Sequence, residues 1–300
     1  MIERYLLRYF LAVIDEGNFS RAAVRCGVSQ PTLSIGIAKL EQHVGRPLFN
    51  RTSRRVELTE AGRRLSQHAQ KIEAAFAEAE RDSGTAPPRM LVRLGIVATL
   101  PSDWIEAALA SACREAPGEQ IEIIEGRQKE LLPLLDRGRV DAVIGASDGD
   151  RRSCRSLFTE GYGLALGRGH PLAGQASVDA EDVGSETMIV RRHCEMLSEV
   201  SNYFTSRGIR PFMAARTSRD DRALAFVRSG LGVTVMPRCF AGQGIALPHL
   251  AGFTATRSIG LLVHPESARR VERSRSVELL AGAIERQAEE VQHGLEGFAP

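Results

Sequence analysis

Three hundred residues, 43% hydrophobic and 25% charged, are too many for one small module and enough for two or three domains with a substantial core. The net charge of +2 hides an asymmetry: residues 1–65 carry eleven Lys/Arg against six Asp/Glu, a head at +5 on a body at −3. A basic head on a slightly acidic body fits a polyanion partner for the head alone.

No apolar run is long enough to span a bilayer and the N-terminus has no signal-peptide core, so a cytoplasmic chain without a membrane partner is expected. The five cysteines (Cys26, Cys113, Cys154, Cys194 and Cys239) are odd in number and never form a CxxC pair. That indicates neither a disulfide scaffold nor a zinc site, and no metal or cofactor is expected.

In chain order, Leu6, Leu7, Phe10, Leu11 and Ile14 recur at helical spacing and stop at Gly17. A second helix is expected to start at Ser20 as N-cap and to bury Ala23 and Val24, and Gly27 makes the turn after it. Ser29 caps a third helix whose Leu33, Ile37, Leu40 and Val44 share one face, closed by Gly45-Arg46-Pro47. Leu48 to Thr59 reads as a short hairpin with Arg51, Arg54 and Arg55 near its tip. This is the pattern of a winged helix-turn-helix, which presents one helix to the DNA major groove.

From Glu60 to about Asp82 a helical pattern runs without proline. Leu58, Leu65, Ile72 and Ala79 lie seven apart, with Gly62, Ala69 and Phe76 between them, an alternation of three and four that makes a coiled-coil seam. Two readings stand: a dimerisation helix using Leu65, Ala69, Ile72, Phe76 and Ala79, or an amphipathic helix packed on its own domain. The first is preferred, because so small a head leaves nothing else to cover the seam.

Ser83 to Pro88 is a linker. Strand-like runs at Leu91–Val97, Gln120–Glu125, Val140–Gly145, Gly161–Leu166, Thr187–Val190, Gly232–Met236 and Ser258–Val263 then alternate with helical ones. The helical runs are Ser102–Glu115, Glu130–Arg137, Glu195–Ser206, Asp220–Ser229 and Arg269–Glu290. Such alternation argues for open, mainly parallel α/β sheets.

On the third helix, Pro31, Ile35, Ala38 and Gln42 lie opposite the apolar stripe, flanked by Thr32 and Lys39. This face should enter the groove, with Ser29, Gln30, Thr32 and Ser34 at the helix start able to bond base edges or phosphates. Ile35 is an aliphatic side chain on an otherwise wet face. It reads as a contact to a thymine methyl, with plain exposure or packing under a partner as rivals. The wing arginines Arg51, Arg54 and Arg55 read as phosphate or minor-groove contacts.

The runs Leu7-Arg8-Tyr9-Phe10, Glu16 to Ser20, Ala22-Ala23, Val28 to Pro31, Leu33-Ser34, Leu40-Glu41, Gly45, Leu48-Phe49, Arg51 and Leu58 to Gly62 resemble the N-terminal signature of LysR-type transcriptional regulators. The resemblance is dense over some sixty residues and continues weakly through His170-Pro171-Leu172 and Val227 to Pro237. Departures are Cys26, where a large aliphatic is common in the family, and Ile35-Gly36, where a basic residue and Gln are common.

The resemblance implies three parts: an all-α winged helix-turn-helix over 1–59, a linker and dimerisation helix with hinge over 60–88, and an α/β effector domain over 89–300. It implies a periplasmic-binding-protein-like effector domain of two lobes, about 89–161 with 266–300, and 162–265, with a ligand cleft between them. The implied partners are double-stranded operator DNA, a small-molecule effector, further copies as homodimer or homotetramer, and RNA polymerase.

Thr99 and Ser102 resemble the hydroxyl residues that hold effectors in this family, and hydroxyls at a helix start suit a carboxylate or another small anion. Ser102 reads equally as an ordinary N-cap. Arg192, His193 and Cys194 follow a strand and should face the same cleft, joined by Thr217 after the next one. The His193-Cys194 pair resembles that of the peroxide-sensing branch, but no cysteine lies between Cys194 and Cys239 to resolve an oxidised thiol. Ligand lining, thiol sensing and a structural role all stay open for Cys194, and a small-molecule-binding protein without gene regulation is a further alternative. No Gly-x-Ser-x-Gly, P-loop, His-Glu-x-x-His or Gly-x-Gly-x-x-Gly is present, so no enzyme is expected.

Overall fold

The computed structural model describes residues 1–51, 56–82, 89–147 and 153–296. They fall into two compact units, Met1–Pro88 and Arg89–Pro300.

The first unit runs α1 (Arg4–Glu16), α2 (Phe19–Arg25), α3 (Gln30–Val44), β1 (Phe49–Arg51), β2 (Val56–Leu58) and α4 (Glu60–Asp82). Leu6 and Phe10 of α1 and Leu33, Ile37 and Leu40 of α3 are fully buried, each contributing about 2 kcal/mol of apolar burial. Gly27 has φ 68°, a left-handed conformation that reverses the chain between α2 and α3 without a Cβ penalty. Ser29 caps α3, its Oγ accepting the Thr32 N–H at 3.3 Å. Strands β1 and β2 pair antiparallel, Phe49 opposite Leu58. The Glu41 carboxylate ties their start to α3, accepting the N–H groups of Leu48 at 2.7 Å and Phe49 at 3.3 Å.

Three expectations for this unit need correction. The N-cap of α2 is Asn18, whose Oδ1 accepts from the N–H of Ser20 and Arg21, because the helix already begins at Phe19. Val24 is 81% exposed: Ala22 and Ala23 take the inward face of this two-turn helix, and Val24 falls a further third of a turn round, in solvent. Gly36, left undecided by the sequence, faces inward, where an added Cβ would lie 2.7 Å from the Tyr9 ring, so it serves the α1–α3 contact.

The seam is the third. Ala69 is fully buried in the head's own core and Leu65 packs against that core, because α1 lies along α4 and covers its first turns. Ala69 is therefore not a dimer contact. Ile72 and Phe76, 40% and 43% exposed, keep the outer part of the seam open. The Arg4 guanidinium stacks over the Phe76 ring at 4.4 Å and pairs with Glu73 at 3.0 Å. The Ala79 side chain lies outside the described residues.

The second unit begins with β3 (Met90–Val97), α5 (Ser102–Glu115), β4 (Glu119–Gly126), α6 (Gln128–Asp136), β5 (Ala142–Ala146) and β6 (Ser153–Gly167). There follow β7 (Ser177–Val178), β8 (Thr187–Arg191), α7 (Leu197–Thr205), β9 (Phe212–Thr217), α8 (Asp220–Arg228) and β10 (Thr234–Pro237). It ends with β11 (Ile245–Ala246), β12 (His249–Leu250), β13 (Thr256–Val263), α9 (Ala268–Arg273) and α10 (Arg275–Glu296).

One sheet runs β4-β3-β5-β13-β6-β12-β7, and β8 pairs parallel with β9 in a second. β3 is parallel to β4 and β5, while β13 is antiparallel to β5 and β6. The fifteen-residue β6 pairs with β13 as far as Gly161 and with β10 from Tyr162. The chain thus crosses between two lobes on β6 and returns on β13.

Helix α10 packs back on α5. The single helix expected over Arg269–Glu290 is two, broken at Ser274. There the backbone turns extended, and the hydroxyl accepts the Val277 N–H while donating to Glu119. Ser102 is the first residue of α5 rather than its cap, which falls on Pro101. No helix among the described residues is long and apolar enough to cross a membrane.

Candidate functional site

In the first unit, the N-terminal face of α3 is exposed and its polar groups bond one another. Ser29 Oγ and Thr32 Oγ1 lie 2.7 Å apart, and Gln30 Nε2 donates to Ser34 Oγ at 3.0 Å. Pro31 is exposed beside them and Ile35 is 69% exposed, on the outer face as expected. Lys39 is engaged: its Nζ donates to Glu3 Oε1 at 2.6 Å and to Tyr5 Oη at 3.3 Å. Arg21 and Arg25 are held by Glu16 and by Asp15 with Glu16. Arg54, Arg55 and the Arg51 side chain lie outside the described residues.

In the second unit the chemistry converges on Arg257, whose side chain is 1% exposed. Its Nε donates to Glu160 Oε1 at 2.8 Å, and its Nη1 donates to Thr99 Oγ1 at 3.0 Å and Glu195 Oε1 at 3.1 Å. Its Nη2 donates to the Thr99 carbonyl at 3.0 Å and to Cys239 Sγ at 3.3 Å. The second Glu160 oxygen accepts the Cys239 N–H at 2.6 Å. Thr99 Oγ1 in turn donates to Glu195.

Both crossing strands, the loop after β3 and the loop before α7 are thus tied at one guanidinium. A buried cation survives only when paired and fully bonded, and here it is. Sequence reading missed Glu160, Glu195 and Arg257. The one signal was a charge immediately ahead of each of two apolar strand runs, Gly161–Leu166 and Ser258–Val263.

Beside this hub lies a pocket of about 290 Å³ whose walls include Thr99, Arg127, Lys129, Arg192, His193, Cys194 and Glu195. Four of the six expected effector residues meet there. Thr99 is 4% exposed and its hydroxyl is already committed to Glu195 and Arg257, so it shapes the wall and offers no free donor. Ser102 lines a different, larger cleft of about 540 Å³ beside the starts of α5 and α8. Thr217 lines neither; its hydroxyl bonds Arg219 and its carbonyl accepts the Arg192 N–H.

A second buried pair stands next to Cys194. Arg191 Nε donates to Asp220 Oδ1 at 2.7 Å, and its Nη1 donates to the Val235 carbonyl at 3.1 Å and to Cys194 Sγ at 3.5 Å. Burial pushes the Cys194 thiol above the ordinary cysteine range, against the pull of Arg191. The five cysteines form no disulfide among the described residues. Glu195 Oε2, Tyr162 Oη and His193 Nδ1 are buried without a hydrogen-bond partner, all close to this hub.

A winged helix-turn-helix joined to a two-lobed α/β unit with a polar pocket defines a transcriptional regulator with an effector domain. Residues 5–63 match the bacterial regulatory helix-turn-helix proteins of the lysR family, and residues 85–284 match the LysR substrate binding domain. The chain belongs to the LysR family of transcriptional regulators.

A probable hydrogen peroxide-inducible genes activator of Mycobacterium avium is 32% identical over 88% of each chain. The regulator ShiR of Corynebacterium glutamicum is 29% identical over 81% of this chain and 84% of its own. Among solved structures, a full-length OxyR variant from Pseudomonas aeruginosa superposes with TM-score 0.63 at 25% identity, covering 95% of both chains. CbnR, at 20% identity and TM-score 0.58, shares the fold.

Proposed function

We propose that this regulator reads double-stranded operator DNA with the exposed face of α3 (Ser29, Gln30, Pro31, Thr32, Ser34 and Ile35) and the wing arginines. Its affinity or DNA geometry is set by a small anion in the pocket beside Cys194. One observation carries the effector class: Lys129, Arg192 and His193 line that pocket, with Lys129 and Arg192 exposed. Arg127, in the same wall, is paired with Glu130. With the Glu195 carboxylate of the wall held by Arg257, the exposed charges left in the cavity are cations, which favour a carboxylate or comparable anion.

The protein acts in the cytoplasm as at least a homodimer, and Ile72 and Phe76 are the open part of the α4 seam. Ligand binding shifts the population between two arrangements of the heads. The test is a footprint and DNA-bend measurement on the full chain with and without a panel of small carboxylates. An effector that changes the bend, and loses its effect in Arg192→Gln, supports the reading. A bend unchanged by every acid that binds refutes it.

A second reading is favoured by Cys194 in the pocket wall and by the peroxide-inducible activators among the relatives. In it, the Cys194 sulfur attacks a peroxide oxygen, the O–O bond breaks, water leaves and a sulfenic acid remains. Operator binding that responds to hydrogen peroxide, and stops responding in Cys194→Ser, selects this reading over the anion.

A further inference from the structure

The second lobe contains another cavity, of about 220 Å³, between α7 and the β8–β9 sheet. Its inner wall is built from Met188, Phe204, Thr234 and Val235, each at most 5% exposed. The recess opens to solvent at its mouth, and a concave, mainly apolar recess of this kind is where small ligands seat.

Water suits it poorly, because a buried water needs two to four polar partners. The polar side chains of the inner wall are already spent. Thr234 Oγ1 donates to the Ile189 carbonyl at 2.7 Å, and the Arg191 guanidinium is consumed by Asp220, Val235 and Cys194. An apolar cavity of about 150 Å³ already admits a benzene ring, so this one admits an aromatic ring or a short alkyl chain.

The mouth is different. Leu197 and Met213, 38% and 39% exposed, form its rim, and the exposed Arg210 lies in the lining. The lining holds two arginines and no carboxylate. Arg210 makes no hydrogen bond or ion pair among the described residues, whereas Arg191 is fully paired inside. An apolar body with one unspent cation at its opening is the arrangement that selects an amphipathic anion.

We propose that this lobe carries a second ligand site for a small monocarboxylate with an apolar body, the chain or ring seated against Phe204 and Val235 and the carboxylate held at Arg210. Cys194 forms part of the wall of both cavities, so a molecule here touches the same thiol that borders the polar pocket. The proposal is independent of what the polar pocket binds.

Calorimetric titration of the full chain with hexanoate tests it, with hexanol as the uncharged control. Hexanoate should bind at least tenfold more tightly than hexanol. Arg210→Gln should remove that difference by weakening hexanoate alone. Ser201→Phe, at an exposed α7 position lining the cavity, should abolish both, with its unliganded melt showing that it folds. Lys129→Gln, in the polar pocket, should leave hexanoate binding unchanged. The proposal is overturned if hexanoate does not bind, if its binding survives Ser201→Phe, if hexanol and hexanoate bind alike, or if Lys129→Gln abolishes the signal.

Discussion

Replacing Asp220 by Asn tests the internal electrostatics of the effector unit at one atom pair. The Arg191 and Asp220 side chains are 2% and 7% exposed and meet in a two-pronged contact at the end of β8 and the start of α8. Breaking such a pair from one side costs about 3–5 kcal/mol, because the remaining charge stays buried. Asparagine keeps one acceptor oxygen and Arg191 keeps the Val235 carbonyl, which places the loss near the lower bound, about 3 kcal/mol.

For a unit of this size each kcal/mol is worth about 2–4 °C, so the effector transition should fall by about 6–12 °C in scanning calorimetry of the full chain. The double variant Arg191→Met with Asp220→Leu, which removes both charges, should recover at least half of that. The thiol supplies an independent readout. Burial is the main cause of the raised Cys194 pKa, and Asp220 adds to it while Arg191 opposes it. Asp220→Asn should therefore speed alkylation of Cys194 at mildly alkaline pH. A transition within 2 °C of wild type, or a double variant less stable than the single, would refute the account.

Three further outcomes are expected. Gly62→Ala should destabilise the head by at least 2 kcal/mol in urea unfolding, since its Cβ would stand 2.2 Å from the Leu48 carbonyl oxygen, a backbone atom with no room to yield. A stability change below 0.5 kcal/mol would show that the α4 start is loosely seated.

Glu119 is penalised by burial, but hydrogen bonds from Ser274 and the N–H groups of Ser276 and Arg275 hold its carboxyl below the usual range. A lowered folded pKa means that this stabilisation is present above the ordinary carboxylate value and lost as pH falls through the folded one. The stability gap between wild type and Glu119→Gln should be widest near neutrality and close on acidification. A gap independent of pH is the contrary result. Ile35→Ala should cost affinity on operators with thymine at the contacted position and nothing when uracil replaces it. Equal losses on both bases would exclude methyl readout.

Local chemistry was legible in the sequence. Helix α5 begins and ends where its pattern does, Ser29 caps α3, and β3 and β8 appear within a residue of their apolar runs. Periodicity and capping act over a few residues, so one chain of letters carries them.

What failed depended on partners far along the chain. The first half of β6, Ser153 to Glu160, mixes polar and apolar residues and became a strand only through β13, about a hundred residues on. The Arg257 hub joins groups up to 158 residues apart. Its members looked like isolated charges in strands until the fold collected them. The α4 seam misled for a related reason: heptad spacing says that a face is covered, not by what, and α1 covered its first half.

Because α4 is bolted to α1 through their shared core and the Arg4 clamp, recognition helix and linker helix form one stiff arm rather than two jointed pieces. An α-helix of 23 residues is a lever about 35 Å long, so a tilt of about 5° at its far end moves the tip by about 3 Å. A head assembled this way needs no internal rearrangement to change the spacing between two recognition helices. In the proposed switch, a tilt of α4 is carried to the exposed face of α3 through the core that α1 shares with both helices.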